Sequence, residues 1–141
     1  MKISENGIEL IKNFEGYKEK AYKCPAGVWT IGYGHTQGVR EGDSCTQAQA
    51  KDFLLSDLKT IERVINANVK QKITQNQFDA LCSFTYNVGI SAFAHSTLLK
   101  FLNQRNYFLA ADQFDRWVFI NGKVSNGLKN RRTKEKELFL K

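Results

Sequence analysis

The sequence lacks several features that mark particular classes of protein. It has one proline and three cysteines in 141 residues, with neither a C-x-x-C pair nor a cysteine and histidine cluster at zinc-ligand spacing. We therefore expect no disulfide framework, no metal site and no cofactor. No apolar run approaches the roughly 18 to 20 residues that a transmembrane helix needs, so no transmembrane segment is expected. Internal repeats, low-complexity tracts and flexible linkers are also missing, which favours one domain without a separate binding module.

The charge balance is strongly basic and favours an anionic partner. Lysine and arginine number 21 against 14 acidic residues, a formal net charge of +7 with a pI near 9.4. Nucleic acid, anionic lipid and an acidic polymer all fit this charge. A net +5 falls in residues 123–141, where a basic helix either makes weak contact with an anionic membrane or is simply solvated. No recognition-helix, RNP-type or zinc-finger motif supports nucleic acid, which we do not expect as a partner.

The spacing of apolar residues predicts a small hairpin followed by helices. Ser4 is predicted to cap a first helix that ends before Gly16. Strand-forming residues surround a Pro25-Ala26-Gly27 turn within residues 21–36, which predicts a hairpin. Every later segment is predicted to be helical, with helix starts signalled by Thr46, Thr74, Ser96, Asn106 and Ser125.

These elements define the expected architecture. The fold class is α+β, with a small N-terminal β-hairpin lobe and a mainly helical C-terminal lobe. The two lobes are expected to join within a helix at about residues 46–67, with a cleft between them in which a polymer would bind.

Glu15 is the first candidate for chemistry. A carboxylate fits poorly at the C-terminus of a helix, where the dipole favours cations, and such local mismatches are found at functional sites. A carboxylic acid held beside apolar groups such as Phe14 can act as a general acid near neutral pH. The alternative is that Glu15 decorates a solvated helix end.

The spacing Glu15-x8-Cys24-x5-Thr30, together with the segment Trp29–Thr36, resembles the bacteriophage lysozymes. These are the endolysins and muramidases of glycoside hydrolase family 24, whose pattern is Glu, eight residues, Asp or less often Cys, five residues and Thr. The resemblance implies a lysozyme-like fold in a single catalytic domain, residues 1–141, without a separate wall-binding domain. It extends over essentially the whole chain, through the segments Ser83–Gly89, Ser96–Leu99 and Gly127–Arg132.

The resemblance implies an endolysin that hydrolyses the β-1,4 bond between N-acetylmuramic acid and N-acetylglucosamine in peptidoglycan and lyses the bacterial host. Glu15 matches the family's general acid, and Thr30 matches the threonine that positions the attacking water. Asn87 and Arg131 match positions that line the saccharide and peptide side of the cleft. Arg131 also suits the carboxylates of stem peptides, whereas Asn87 alternatively serves as a helix cap.

Aromatic, histidine and cysteine side chains offer further candidates. Tyr22 and Tyr33 are predicted to contact sugar, because aromatic faces suit the apolar faces of sugars. Trp29 suits the same role or the core equally well. His35 is predicted to be packed and hydrogen-bonded rather than catalytic, and Cys82 is predicted to be a core residue.

Cys24 stands where most of the family has Asp, although glycoside hydrolysis generally uses two carboxylates. A free thiol has a pKa of about 8.5 and is mostly protonated at neutral pH, unless a neighbour such as Lys18, Lys20 or Lys23 lowers it. We hypothesise that Cys24, as thiol or thiolate, orients the water or stabilises the oxocarbenium-like transition state. The alternatives are a tolerated substitution that contributes little, or a disulfide with Cys45 that blocks the site.

The resemblance also implies a place of action, and it leaves other functions open. Residues 1–7 show no secretory signal, so we expect the protein to be made in the host cytoplasm and to reach the periplasmic wall after a holin opens the inner membrane. We also expect it to be a monomer. The alternatives are a non-enzymatic basic module that binds nucleic acid or peptidoglycan, and chitinase-like activity on N-acetylglucosamine polymers. The presence of both Glu15 and Thr30 favours the lysozyme.

Overall fold

The computed structural model describes all residues from 1 to 141, as seven α-helices and two small antiparallel hairpins. The first hairpin pairs β1 (Lys18–Lys23) with β2 (Trp29–Gly32), and the second pairs β3 (Phe119–Ile120) with β4 (Lys123–Val124). None of the helices combines the length and the apolar character that a membrane span requires. The helices are α1 (Glu5–Glu15), α2 (Gln47–Asn68), α3 (Gln75–Val88), α4 (Ile90–Ala94), α5 (Thr97–Asn103), α6 (Tyr107–Gln113) and α7 (Asn126–Leu140).

The chain divides into two compact units. Residues Glu9–Thr60 form the hairpin unit, which holds β1, β2 and the adjoining parts of α1 and α2; Met1–Ile8 and Ile61–Lys141 form the helical unit. The hairpin unit has seven basic and seven acidic residues, so the net charge of +7 belongs entirely to the helical unit. The predicted fold class, a small N-terminal sheet with a mainly helical body, is confirmed.

Local sequence signals set several helix starts where they were predicted. The Gln77 N–H donates to the Thr74 hydroxyl at 3.1 Å, and the Thr74 N–H donates to the Gln77 amide oxygen at 2.8 Å. The same reciprocal pair joins Thr46 and Gln49, at 3.1 and 2.9 Å. Each capping box satisfies N–H groups that a helix start leaves without a partner, and a cap is worth about 1 kcal/mol. Side chains also cap the helices that follow Ser96, Asn106 and Ser125.

Each unit buries apolar side chains at helical spacing. In the hairpin unit, Ala50, Leu54 and Leu58 recur every four residues along α2 and are at most 1% exposed. In the helical unit, α3 packs on α7, and Phe114 contacts the ring edges of other buried phenylalanines. Cys82 of α3 is fully buried, as predicted, and burial raises the pKa of its thiol above the ordinary value.

The region after α5 corrects the prediction that everything beyond the first hairpin is helical. α6 ends at Gln113, and a 3-10 turn (Phe114–Arg116) and the β3–β4 hairpin replace the helical structure that was predicted between α6 and α7. Phe108 of α6 is 78% exposed. An Asn-Gly pair between strand-forming residues is a hairpin signal, but strands of two residues are too short to show the alternation of a sheet.

Candidate active site

The three residues of the Glu15-Cys24-Thr30 motif all lie in the hairpin unit. Glu15 is the last residue of α1, Cys24 directly follows β1, and Thr30 lies in β2. The helix ends at Gly16, which donates its N–H to the Lys12 carbonyl at 2.8 Å and whose left-handed backbone, with a φ of 67°, turns the chain into β1. Glu15 and Cys24 are partly exposed, whereas Thr30 is buried. A carboxyl group and a thiol are therefore both accessible on this unit.

Tyr22 connects the motif residues. It lies opposite Thr30 in the register of the β1–β2 pair. Burial raises the pKa of the Tyr22 phenol, and the negative charges of Glu15 and Cys24 raise it further. The phenol therefore lies within electrostatic range of both acidic groups and keeps its proton at neutral pH. The fold thus places Tyr22 opposite Thr30 and within electrostatic range of Glu15 and Cys24.

Cys24 occupies the first position of a tight hairpin loop. Its carbonyl accepts the Gly27 N–H at 2.8 Å, and its own N–H donates to the Val28 carbonyl at 3.0 Å. Gly27 has a φ of 80°, so the loop is a turn closed by a left-handed residue, the arrangement of a G1 bulge. Pro25 suits the second position of the turn because its ring already fixes φ in the required range.

The loop lowers the pKa of the Cys24 thiol. The largest effect comes from the backbone of Val28; the Ala26 backbone and the Thr30 hydroxyl add to it, and partial burial opposes it. Donors aimed at the sulfur favour the thiolate, because hydrogen bonds stabilise the charged form. Neighbouring lysines were predicted to lower the pKa of Cys24, but no lysine is among the groups that shift it. The Lys23 Nζ instead lies over the Trp29 ring, 5.4 Å from its centre.

The Thr30 hydroxyl is held by its own strand. Thr30 Oγ1 donates to the Val28 carbonyl at 2.9 Å, and the side chain is 4% exposed. A hydroxyl carries one proton and two lone pairs. With its proton on the Val28 carbonyl, the Thr30 oxygen acts as an acceptor; with its proton turned to Cys24, it supports the thiolate instead.

Tyr33, a predicted sugar contact, lies in the interior of the hairpin unit. It is 5% exposed, and its hydroxyl accepts a hydrogen bond from Gln47 Nε2 at 3.2 Å. Its ring centre lies 5.8 Å from that of Tyr17, and the Lys12 Nζ lies 5.4 Å from the ring. These contacts favour a packing role over contact with sugar.

His35 is packed and hydrogen-bonded, as predicted. Its Nδ1 lies 2.7 Å from the Asp57 carboxylate, and its ring stacks on Phe53 with the centres 4.5 Å apart. The pair ties the chain after β2 to α2. No group of three or more histidine, cysteine, aspartate and glutamate side chains is arranged to hold a metal ion.

Asn87 and Arg131 belong to the helical unit. Arg131 is 5% exposed; its Nε donates to Glu135 Oε2 at 3.2 Å, and its Nη2 donates to the Ser83 carbonyl at 3.0 Å. Asn87 is exposed near the end of α3, and its amide oxygen accepts a hydrogen bond from Arg132 Nη2. Asn87 thus presents an accessible amide, whereas buried partners hold the Arg131 guanidinium.

The motif analysis assigned no role to Arg132, which lies at the centre of this buried cluster. Arg132 and Glu135 are both 0% exposed, and Arg132 Nη1 donates to Glu135 Oε1 at 2.5 Å. Arg132 Nε also donates to the Trp117 carbonyl at 3.0 Å, and the guanidinium lies 5.1 Å from the centre of the Phe84 ring. Arg132 and Glu135 lie three residues apart, a spacing that places both side chains on one helix face. Only the packing of α7 in the fold shows that the pair is buried.

Comparison with known proteins gives consistent matches to proteins described as lysozymes, endolysins or muramidases. A family model described as phage lysozyme matches residues 12–135. The endolysin of Acyrthosiphon pisum secondary endosymbiont phage 1 is 48% identical over 99% of this chain and 98% of its own length. The muramidase domain of SpmX from Asticaccaulis excentricus has a TM-score of 0.92 at 45% identity, covering 99% of this chain and 98% of that one. A mutant of the P22 lysozyme has a TM-score of 0.84 at 42% identity, covering 100% and 99%.

Proposed function

Since the chain belongs to the phage lysozyme family and is a lysozyme-type hydrolase, we propose that it is an endolysin that cleaves the β-1,4 bond between N-acetylmuramic acid and N-acetylglucosamine in peptidoglycan and lyses the host. One observation carries the assignment of the site: Glu15 and Cys24 both act on the Tyr22 phenol. A carboxyl group and a second acidic group therefore both lie within electrostatic range of one phenol, and glycoside hydrolysis generally uses two acidic groups at the bond that is cleaved.

Glu15 is the general acid in this proposal. Its carboxyl gives its proton to the glycosidic oxygen as the bond from that oxygen to the anomeric carbon breaks, so the leaving sugar departs as a neutral alcohol. The position of Glu15 supports the role, because α1 on one side and β1 on the other fix the backbone that carries it. A catalytic acid must be held in this way within hydrogen-bond reach of the oxygen that it protonates.

Cys24 takes the place of the second carboxylate. As a thiolate, it faces the positive charge that develops at the anomeric carbon, and it accepts a hydrogen bond from the attacking water. As the water oxygen bonds to the anomeric carbon, a water proton passes to the sulfur, and the resulting thiol later releases it to solvent. The hydrogen bonds that lower the pKa of Cys24 support the ionised form.

Thr30 positions the water. Thr30 Oγ1 donates its proton to a hydrogen bond with the Val28 carbonyl at 2.9 Å, which leaves the oxygen lone pairs to accept a hydrogen bond from the water. Because the side chain is buried in β2, its oxygen stays in one place, and a water bound to it is oriented before the reaction. Thr30 therefore lowers the entropic cost of bringing the water to the anomeric carbon.

Substrate contacts are proposed for Tyr22 and Asn87, the two accessible residues among those predicted to bind substrate. Tyr22 keeps its phenolic proton and can donate to a sugar hydroxyl. Asn87 is exposed and offers an amide to the saccharide or the stem peptide. Tyr33 and Arg131 are buried and engaged with protein partners, so we assign them to the support of the fold.

We propose that the protein acts as a monomer on the periplasmic wall after release from the host cytoplasm. The positive charge of the helical unit supports attraction to an acidic, insoluble substrate. Weak contact of α7 with an anionic membrane stays a secondary proposal, since Lys129, Lys134 and Lys141 are exposed there.

The experiment that tests the proposal follows the clearing of a suspension of outer-membrane-stripped cells. Glu15→Gln removes the transferable proton at nearly constant size, and we expect the rate of clearing to fall by at least about a hundredfold. Glu9→Gln is the matched control, because Glu9 is an exposed carboxylate of the same helix, and it should clear at the native rate. Equal clearing by the native chain and Glu15→Gln would support a non-enzymatic wall-binding module and overturn the proposal.

Product analysis tests which bond is cleaved. Digestion of purified peptidoglycan should yield fragments with N-acetylmuramic acid at the new reducing end. N-acetylglucosamine at that end, or comparable rates on chitin oligomers, would instead assign the chitinase-like activity.

A further inference from the structure

The β3–β4 hairpin exposes apolar side chains that its own packing does not use. Phe119 and Val124 are each 56% exposed and Ile120 is 41% exposed, although such residue types usually lie inside. Phe119 lies opposite Val124 in the strand register, so both side chains project from one face of the hairpin, and Ile120 shares the other face with Lys123. No third strand extends this sheet. Phe119, Ile120 and Val124 together form the apolar tip of the hairpin.

The turn and the base of the hairpin hold the apolar tip in place. Asn121 and Gly122 have φ angles of 51° and 77°, and positive φ at both residues is the mark of a type I′ turn, whose twist fits an antiparallel hairpin. At the base, the Ser125 N–H donates to the Val118 carbonyl at 2.7 Å, and Val118 is buried. The apolar tip is therefore ordered before any partner binds, which lowers the entropic cost of a contact.

Every exposed charge in the segment that carries the apolar tip is positive. Residues 116–134 contain no aspartate or glutamate. The exposed cations of this segment are Arg116, Lys123, Lys129 and Lys134. Proteins bind anionic membrane surfaces with exposed apolar side chains beside cations, because the apolar groups enter the boundary between headgroups and acyl chains while the cations attract the headgroups. The charge of the segment thus complements an anionic lipid surface.

We propose that the β3–β4 hairpin docks the protein on an anionic phospholipid bilayer: the apolar tip enters the headgroup region, and Lys123 pairs with a lipid phosphate. Lys123 suits that role because it lies opposite Ile120, and its long apolar stem lets the ammonium reach the headgroups. This inference goes beyond the proposed function, because cleavage of peptidoglycan does not require it. It also differs from contact through α7, since the apolar tip precedes that helix.

Two other occupants fit the hairpin less well. A stable interface with a second copy buries about 800 Å² on each partner, which three side chains on two-residue strands do not supply, and a symmetric contact would bring cations against cations. A sugar chain suits flat aromatic faces, whereas Ile120 and Val124 are aliphatic. An anionic bilayer uses both the aliphatic side chains and the positive charge.

Sedimentation of the full chain with lipid vesicles tests the proposal. The protein should bind vesicles of phosphatidylethanolamine and phosphatidylglycerol, and it should bind phosphatidylcholine vesicles much more weakly, because only the first are anionic. The double variant Phe119→Thr/Val124→Thr keeps residues that favour strands and removes most of the apolar area of the tip. We expect its partition coefficient on anionic vesicles to be lower than that of the native chain by at least about tenfold.

Phe108→Thr is the matched control, because Phe108 is 78% exposed in the same unit but lies on α6, outside the hairpin. It should bind anionic vesicles like the native chain. The double variant should digest purified peptidoglycan, which contains no lipid, at the native rate, and this activity verifies its fold. Glu15→Gln should bind vesicles like the native chain, so a failure of the proposed catalysis is distinguished from a failure of the proposed docking.

Lys123→Gln keeps the test decisive if the double variant does not fold. A lysine near an anionic surface strengthens binding by about fivefold, and salt screens this attraction. The variant should therefore bind anionic vesicles about fivefold more weakly than the native chain, and its binding should depend less on salt.

Several outcomes overturn the proposal. They are equal binding of the native chain to anionic and phosphatidylcholine vesicles, binding to neither, native binding by the hairpin variants, or a loss in Phe108→Thr equal to that in the double variant. Slower digestion of peptidoglycan by the double variant with unchanged vesicle binding would instead assign the hairpin to the saccharide. A dimer of the native chain that the double variant loses would assign it to a second copy.

Discussion

Arg132 and Glu135 form a fully buried ion pair on α7, in which Arg132 Nη1 donates to Glu135 Oε1 at 2.5 Å. The remaining donors of Arg132 reach Trp117 and Asn87, and Arg131 and Ser83 donate to the other carboxylate oxygen of Glu135. Every group in this cluster has a partner, so removal of one member leaves a charge in the interior without its closest counterion.

Arg132→Met is therefore expected to destabilise the fold by about 3–5 kcal/mol, the usual cost of breaking a buried pair. Burial raises the pKa of Glu135, and Arg132 opposes that rise, so the variant should raise it further. A folded-state pKa above the unfolded one means that the folded state binds more protons, so stability falls as the pH rises. Urea unfolding should thus show a larger loss at about pH 8 than at about pH 5.

Lys136→Met is the control for this prediction. Lys136 pairs with Asp115 at 2.8 Å and Asp112 at 3.4 Å, but both aspartates are more than half exposed. Exposed pairs contribute about 0–1 kcal/mol. A loss in Lys136→Met that equalled the loss in Arg132→Met would contradict the importance of burial.

The contact between His35 and Asp57 gives a second prediction, on the stability of the hairpin unit. Asp57→Asn removes the charged acceptor that lies 2.7 Å from His35 Nδ1, and we expect a loss of about 1–3 kcal/mol and a lower melting temperature. Asp52→Asn, an exposed aspartate on the same helix, should leave the melting temperature nearly unchanged. Equal melting temperatures for Asp57→Asn and the native chain would show that the contact is energetically neutral.

Substitution of Cys24 itself gives a third prediction, on the pH dependence of lysis. The hydrogen bonds from Val28 and Ala26 lower the pKa of the thiol, so the thiolate is present above that lowered value and is lost as the pH falls through it. Cys24→Asp should stay active and extend activity to lower pH, because a carboxylate with a pKa of about 3.9 stays ionised where the thiolate does not. Lysis rates across a pH series provide the measurement.

Cys24→Ser is the contrasting variant. A serine hydroxyl accepts the same hydrogen bonds but does not ionise in the working pH range, so lysis should fall by about tenfold or more, as expected when a charge that stabilises the transition state is lost. Native activity in Cys24→Ser at every pH would rule out a chemical role for the sulfur.

Much of the backbone of this protein follows from short-range signals. The capping boxes at Thr46 and Thr74 were readable because donor and acceptor lie three residues apart, and the structure forms both. The β3–β4 hairpin was missed although its Asn121-Gly122 turn was visible. Its strands pair only Phe119 with Val124 and Ile120 with Lys123, which leaves no alternation to detect.

The sequence by itself determined the helix starts, the first hairpin and the spacing that carries Glu15, Cys24 and Thr30, because each depends on residues a few positions apart. Only the tertiary structure decided which candidates are accessible. Arg131, whose charge suggested a ligand, is buried against Ser83, 48 residues away. The sequence likewise did not show which neighbouring group lowers the pKa of the Cys24 thiol, although that group is only a few residues away. Its lysine neighbours were visible in the sequence, but the largest effect that lowers its pKa comes from the backbone of Val28, and no residue type reports where a main-chain donor lies.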